Sequence, residues 1–179
     1  MNKMLCSGIV AIALSAAPAL GAAQTTTSKR ASIDKAFVTK AAQGGMAEVE
    51  LGKLAVDKAS SSEVKQFGQK MVEEHGKAND QLKSLAANKN MTLPTALTPK
   101  DKALQARLSK LAGPAFDRAY MRAMVTDHRH DVNEFRMESK SGADADIKSW
   151  ASNTLPTLET HLKMAQDANR AVGTSGVKK

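Results

Sequence analysis

The chain has 179 residues, a formal net charge of +8 at pH 7 and a single cysteine. The length is enough for one domain with a hydrophobic core, and one cysteine excludes an internal disulfide framework and a thiolate-rich metal site. A basic surplus is typical of proteins that bind nucleic acid. Here the lysines and arginines are spread over predicted helix surfaces, and the N-terminal segment predicts export. We therefore expect no nucleic-acid partner.

The N-terminal segment has the pattern of a secretory signal peptide. Lys3 precedes the apolar run IVAIALSAAPAL, and GAAQ follows it, which predicts cleavage after residue 21, 22 or 23. The run is too short to span a membrane comfortably, and no second long apolar segment follows. Cys6 lies before the run, so removal of residues 1–23 leaves a mature chain without cysteine. We expect an exported protein, periplasmic or associated with the outer membrane, with no transmembrane span.

Four long amphipathic stretches then predict an all-α fold. A disordered leader is expected at 24–31 and a helical domain at 32–172, followed by a flexible tail at 173–179. The domain is predicted to contain helices at about 32–59, 62–87 and 114–140, with a fourth helix after the turn SGAD at 141–144. Pro156 falls inside the fourth helix and is expected to kink it or to form a bulge.

The connection between the second and third long helices is unusually long. Residues 88–113 contain Pro94, Pro99 and a short amphipathic piece, KDKALQARLSKLAG, which Gly113 and Pro114 end. An antiparallel hairpin needs far fewer residues. The connection therefore predicts a crossover that carries a short extra helix, as in a ferritin-like four-helix bundle.

A carboxylate interrupts the apolar stripe of the first helix. At about 100° per residue, Glu48 lies on the same face as Phe37, Gly44 and Leu51. A carboxylate aimed at a helical core needs a proton, a cation or a metal as its partner. The neighbouring pair Gly44–Gly45 costs helix propensity, and we expect it to permit close approach of another helix.

Each of the three later long helices aims one histidine at its own apolar stripe. Counting from the predicted turns places Glu48, His75 and His128 at one level, with Asp131 one helical turn from His128. His161 counts about 7 Å away from that level and is expected in an adjacent layer. Asp127 and His130 are expected on the solvated surface.

Two interpretations of this polar set remain open. In the first, Glu48, His75, His128, Asp131 and His161 hold one transition-metal ion, with Zn, Fe, Cu and Mn all compatible with nitrogen and oxygen ligands. The paired Glu-x-x-His motifs of di-iron proteins are absent, so ferroxidase or oxygen chemistry is disfavoured. In the second, Glu48 pairs with His75 and His128 with Asp131, as hydrogen bonds that only fix the helix register.

Several phrases of the chain resemble a bacterial family known as domain of unknown function 4142. They are AAQGGMAEVELGKLA, VKQFGQKMVEEH, FDRAYMRAMVTDH and TLPTLETHL, and the resemblance covers about residues 32–168. It implies a ferritin-like helical bundle in an exported protein, often labelled as a predicted outer membrane protein. It also implies recurring polar residues at Glu48, Glu50, His75, Asp127, His128 and His161. It implies no activity.

The sequence thus leaves two functions open. One is an exported metal-binding bundle that acts in metal handling or envelope stress. The other is a non-enzymatic structural or interaction module whose basic surface meets an anionic envelope surface. No nucleophile–base arrangement or phosphate-binding loop is present in the sequence, so an enzyme is disfavoured. The oligomeric state is left open.

Overall fold

The structure is a computed structural model that describes the backbone of residues 20–174 and the side chains of residues 31–173. It contains α1 (Leu20–Lys58), α2 (Ser62–Asn88), α3 (Pro99–Ser109), α4 (Gly113–Ser141) and α5 (Ala145–Thr174). No strand occurs in the described backbone, which confirms the predicted all-α class. None of the helices described is both long and apolar enough to cross a membrane. Most of the predicted signal peptide and tail lies outside the described residues.

The signals for helix ends in the sequence act locally, as predicted. Ser61 is the N-cap of α2, where its hydroxyl accepts a hydrogen bond from the backbone N–H of Val64 at 3.4 Å. The Asp144 carboxylate accepts from the backbone N–H of Ile147 at 3.1 Å and so caps α5. The short helix expected in the long connection is α3, and α5 continues through Pro156.

The first helix begins earlier than predicted. Helix α1 starts at Leu20 rather than at Ser32, so residues 24–31, expected as a disordered leader, have a helical backbone. No proline lies between Leu20 and Lys58 to stop a helix. Asp34 lies in what would be the first turn of a helix beginning at residue 32, but its carboxylate accepts hydrogen bonds from the backbone N–H groups of Ala143 and Asp144.

The four long helices form two hairpins, α1 with α2 and α4 with α5. Each hairpin turn is held by a buried carboxylate of the other hairpin. Asp117, near the start of α4, accepts from the backbone N–H groups of Ser60 and Ser61, both at 3.0 Å. Asp34 of α1 accepts from Asp144 at 2.7 Å in the α4–α5 turn. The start of α4 therefore lies beside the α1–α2 turn, and α4 runs in the same direction as α2.

The two helices of the first hairpin approach each other closely at Gly52 and Gly68. A methyl group built on Gly68 would lie 2.8 Å from the carbonyl oxygen of Gly52, so the two backbones leave no room for a side chain. The sequence places this approach at Gly44–Gly45 instead. Gly45 does face α2, but through the side chain of Asn79, while a methyl group on Gly44 would meet nothing within 4 Å.

The hydrophobic core is divided into two clusters along the length of the four long helices. One cluster includes Leu51 of α1 and Phe67 and Met71 of α2, and the other includes Phe37 of α1 and Leu82 of α2. Helices α4 and α5 contribute to both clusters in the same way. Between the two clusters, each of the four long helices places one polar residue that is fully or almost fully buried. These residues are Glu48, His75, His128 and His161.

Candidate metal centre

Three histidines meet in the polar layer between the two core clusters. The side chains of His75, His128 and His161 are 6%, 0% and 1% exposed. Their ring centroids are separated by 5.6 Å for His75–His128, 5.2 Å for His75–His161 and 5.5 Å for His128–His161. One nitrogen of each ring lies within 4.8 Å of those of the other two. The three rings therefore form a compact triangle contributed by three different helices.

Two of the rings are oriented by a hydrogen bond on their outer nitrogen. Nδ1 of His128 lies 3.0 Å from the carbonyl oxygen of Met124, and Nε2 of His161 lies 2.5 Å from a carboxylate oxygen of Glu74. Both oxygens only accept, so these nitrogens carry the protons. The lone pairs of the neutral rings are then left on Nε2 of His128 and Nδ1 of His161.

Three of the four remaining ring nitrogens have no hydrogen-bond partner within the described residues. Nε2 of His75, Nε2 of His128 and Nδ1 of His161 are buried and accept no hydrogen bond. A buried polar atom without a partner costs about 1–3 kcal/mol. A polar layer with a purely structural role would not leave three neighbouring ring nitrogens without hydrogen bonds. A metal ion bound between the rings would give all three nitrogens a partner.

The surroundings keep the three rings neutral. Burial lowers the pKa of His75 well below its usual value, and the neighbouring His128 and His161 lower it further. Burial and His161 lower the pKa of His128 to about 4. Burial also lowers the pKa of His161, although Glu74 acts in the opposite direction. Neutral imidazole is the form that binds a metal, so the rings are ready to do so at neutral pH.

Glu48 lies beside this triangle. Its Oε1 is 3.6 Å from Nδ1 of His128, on the side of the ring that faces the Met124 carbonyl. The side chain is fully buried and neither carboxylate oxygen has a hydrogen-bond partner among the described residues. Burial and the neighbouring Asp127 carboxylate raise the pKa of Glu48 well above its usual value. Burial and the neighbouring carboxylate thus both favour the protonated form of Glu48.

Asp131 and Asp127 differ from their predicted positions. The Asp131 side chain is 20% exposed and lies 3.8 Å from the ring of exposed His130. It is not one of the three residues whose ligand atoms converge. Asp127, expected to be solvated, is half-buried and acts on Glu48. The hydrogen-bonded pairs Glu48–His75 and His128–Asp131, which the second interpretation of the sequence offered, are not formed.

His161 belongs to the same layer as the other two rings, contrary to the count from the turns. That count compared Cα levels alone. In an α-helix the Cα–Cβ bond leans toward the N-terminus, so side chains of antiparallel helices lean in opposite directions. His128 leans away from the α4–α5 turn and His161 leans toward it, which brings the two rings together.

Sequence reasoning also missed Glu74. This residue lies at the edge of the inward face of α2 and directly precedes His75, so the periodicity gave it no special position. Its other oxygen accepts from Lys70 at 2.5 Å, and its side chain is 28% exposed. Burial raises its pKa, but Lys70 and His161 outweigh that effect and lower the pKa overall. Glu74 is therefore a carboxylate that reaches from the surface to the back of the His161 ring.

Comparisons with known proteins define the family and the fold of the chain. The family model described as a domain of unknown function (DUF4142) matches residues 17–168. No curated protein matches the sequence. A DUF305 fragment from Deinococcus radiodurans is similar in structure, with a TM-score of 0.68 and 13% identity over 79% of this chain and 96% of that one.

Two further solved structures have the same kind of fold. A putative secreted DUF305 protein from Streptomyces coelicolor gives a TM-score of 0.67 and 14% identity, over 79% of this chain and 94% of that one. A conserved hypothetical protein, rv2844, from Mycobacterium tuberculosis gives 0.59 and 16%, over 80% and 93%. At these identities the likeness shows the helical fold alone.

Proposed function

The chain belongs to the family of domain of unknown function DUF4142, and because that membership assigns no activity, we propose its function from the site: it binds one divalent transition-metal ion between His75, His128 and His161. The observation that carries this proposal is the set of three buried, unpartnered ring nitrogens. We assign Nε2 of His75, Nε2 of His128 and Nδ1 of His161 as the ligand atoms.

The geometry needs only a small adjustment to accept an ion. A metal bound to imidazole at about 2.0–2.1 Å places its nitrogen ligands roughly 3.3–3.5 Å apart. The nitrogens of the three rings lie within 4.8 Å of one another, so each has to move by less than about 1 Å toward the centre. The carbonyl of Met124 and the carboxylate of Glu74 then hold two of the rings from behind, as outer partners of metal-binding histidines do.

The ligand set favours copper or zinc over iron or manganese. Three neutral imidazoles suit Cu²⁺ and Zn²⁺, whereas Mn²⁺ and Fe²⁺ bind nitrogen ligands more weakly and are favoured by carboxylates. No carboxylate belongs to the converging group within the described residues. The nearest buried carboxylate, Glu48, lies 3.6 Å from Nδ1 of His128, which is not the nitrogen assigned as the ligand, and its raised pKa disfavours the anionic form that would bind an ion.

We further propose that this site lies in an exported ferritin-like four-helix bundle. The parallel course of α2 and α4, joined by a long connection that contains α3, supports a bundle with a crossover between them. The charged and apolar pattern of residues 1–23 supports export, and an exported chain would carry the metal site into the cell envelope. A role in metal handling at that location, without catalysis, fits both features.

Metal titration of purified protein against its histidine variants tests the proposal. We expect one Cu²⁺ or Zn²⁺ per chain and a higher melting temperature with the metal, because a ligand of the folded state stabilises it. His128→Ala and His161→Ala should each abolish the metal-dependent shift. His130→Ala is the matched control, since His130 is the fourth histidine and its side chain is 64% exposed. Equal binding by the wild type and the His128→Ala variant would contradict the proposal.

A further inference from the structure

Two buried carboxyl groups meet where α1 passes the α4–α5 turn. Asp34 of α1 is 3% exposed and Glu138 of α4 is 4% exposed, and their carboxyl groups lie at hydrogen-bonding distance from each other. Oε1 of Glu138 is buried without a hydrogen-bond partner among the described residues. Gly142 has a φ of −54°, which any residue can adopt, yet a methyl group built on it would run into the Glu138 carboxyl group. The turn therefore leaves room for these two groups, which we call the acid pair.

The hydrogen bonds of Asp34 indicate which acid of the pair carries a proton. The Asp34 carboxylate accepts from the backbone N–H groups of Ala143 at 3.1 Å and Asp144 at 2.7 Å, and such donors stabilise the anionic form. Two carboxyl groups in contact do not both ionise readily. The proton therefore lies on Glu138, which donates it to Asp34. Burial and the charge of Asp34 raise the pKa of Glu138 to about 7.

No basic side chain forms an ion pair with the acid pair within the part of the chain that the structure describes. On the α1 side, Lys40 binds Glu134 at 2.5 Å. On the side of the turn, the Asp144 carboxylate adds negative charge, and Lys89 of α2 binds that carboxylate at 2.7 Å. Loss of the shared proton would thus place two negative charges in contact, and they would repel each other.

We propose that the acid pair is a pH-dependent contact between the two hairpins, in which the shared proton lets Asp34 hold the α4–α5 turn and loss of that proton weakens this hold. The proposal does not depend on metal binding. The α1–α2 turn, at the other end of the long helices, lacks such a contact. Asp117 holds that turn through Ser60 and Ser61, and no second buried carboxyl group accompanies it among the described residues.

The direction of the pH effect follows from the two states of the turn. When the turn is released, Glu138 is solvated and ionises near the ordinary glutamate pKa of about 4.3, whereas the closed turn keeps the proton up to about pH 7. The closed turn therefore binds more protons than the released turn. Its advantage is complete below about pH 4.3 and is lost as the pH rises to about 7, by at most about tenfold per pH unit.

Amide hydrogen exchange at Ala143 and Asp144, followed by NMR at pH 5 and pH 7, is the test. After correction for the intrinsic exchange rates, the protection of these two amides in the wild type should fall by roughly tenfold or more between the two pH values, and by no more than about 100-fold. Glu138→Gln should remove this fall, because its amide donates to Asp34 at both pH values.

Two controls show whether the effect is local. Glu134→Gln changes a half-buried carboxylate one turn earlier on the same helix, already paired with Lys40, and should keep the fall seen in the wild type. The protection of the Ser60 and Ser61 amides should be the same in the wild type and in Glu138→Gln.

Protection that does not change with pH in the wild type would overturn the proposal, and so would equal falls in the wild type and Glu138→Gln. If Glu138→Gln fails to fold, NMR titration of the Glu138 carboxyl carbon in the wild type decides the question. A midpoint above about pH 6 supports the proposal and a lower midpoint overturns it.

Discussion

The Glu74 carboxylate lies 2.5 Å from Nε2 of His161 and so fixes which nitrogen of that ring is free. Substitution Glu74→Gln removes the charge and allows the amide to present either a donor or an acceptor to the ring. Loss of such an outer partner typically weakens metal binding by about 10–100-fold. We expect a decrease in that range in competition titrations with a chelator.

The neighbouring residue supplies the control for this prediction. Glu73 is 67% exposed and pairs with Lys77 at 2.6 Å on the outer face of α2. Glu73→Gln removes the same charge from the same helix without contacting a histidine, and its metal affinity should equal that of the wild type. Equal losses in both variants would mean that Glu74 acts only through the net charge.

Metal affinity should depend little on pH between 6 and 8. Burial lowers the pKa of all three histidines, to about 4 for His128, so protons compete with a metal at these rings less than at exposed histidines. Three exposed histidines with a pKa of about 6.5 would instead lose roughly 60-fold in affinity from pH 8 to pH 6, because each is only about a quarter neutral at pH 6. Titrations at the two pH values should differ by less than about threefold. A loss near 60-fold would show that the rings are solvated.

The buried acid Glu48 should make the protein less stable as the pH rises. In the unfolded chain this group ionises above about pH 4.3, whereas the folded state, with a raised pKa, retains the proton. The folded state then binds more protons than the unfolded state, so its contribution to stability is lost progressively as the pH rises from about 4.3 to the raised pKa. Glu48→Gln removes this loss, so its stability relative to the wild type should rise with pH, by up to about 1.4 kcal/mol per pH unit.

Urea unfolding at pH 5 and pH 7 measures this effect. The stability of Glu48→Gln relative to the wild type should be higher at pH 7 than at pH 5, by no more than about 3 kcal/mol, the limit that one proton sets over two pH units. Any fixed cost of the amide is the same at both values and cancels in the difference. Glu50→Gln, which changes an exposed carboxylate paired with Lys53 on the same helix, is the control. A gain that is equal at the two pH values would contradict a protonated Glu48.

The glycine contact of the first hairpin should be intolerant of a methyl group. Gly68→Ala would force the new Cβ to 2.8 Å from both the Gly52 carbonyl and the Ala55 side chain. Such overpacking typically costs about 1–3 kcal/mol. Gly76→Ala meets nothing within 4 Å and should be neutral or should stabilise by up to about 1 kcal/mol. Thermal melts of the two variants should therefore shift in opposite directions or differ by several degrees.

The helices could be predicted from the sequence because their signals are local. The apolar period of 3.6 residues and the capping residues Ser61 and Asp144 act within one or two turns of the chain. The start of α1 could not be predicted in the same way. Asp34 resembles a first-turn acid in sequence, but its partners lie 109 and 110 residues away in the α4–α5 turn.

The sequence predicted which histidines form the candidate site, but it did not predict their relative levels or the contacts around them. Periodicity alone indicated that His75, His128 and His161 point inward, since that depends only on position along each helix. The level of His161 depends on the opposite lean of side chains in antiparallel helices, which a count of residues ignores. The roles of Glu74 and Asp127 depend on contacts at the edges between helices, and a stripe drawn on one helix does not contain that information.

The carboxylates of Asp117 and Asp34 lie at opposite ends of the long helices. Their hydrogen bonds fix the position of one hairpin along the other. His75 comes from one hairpin and His128 and His161 come from the other. A slip of one helical turn, about 5.4 Å, would exceed the spacing of the ring nitrogens and dismantle the triangle. The geometry of the proposed metal centre thus depends on hydrogen bonds far from the three histidines, and substitutions at Asp34 or Asp117 would disturb it without touching a proposed ligand.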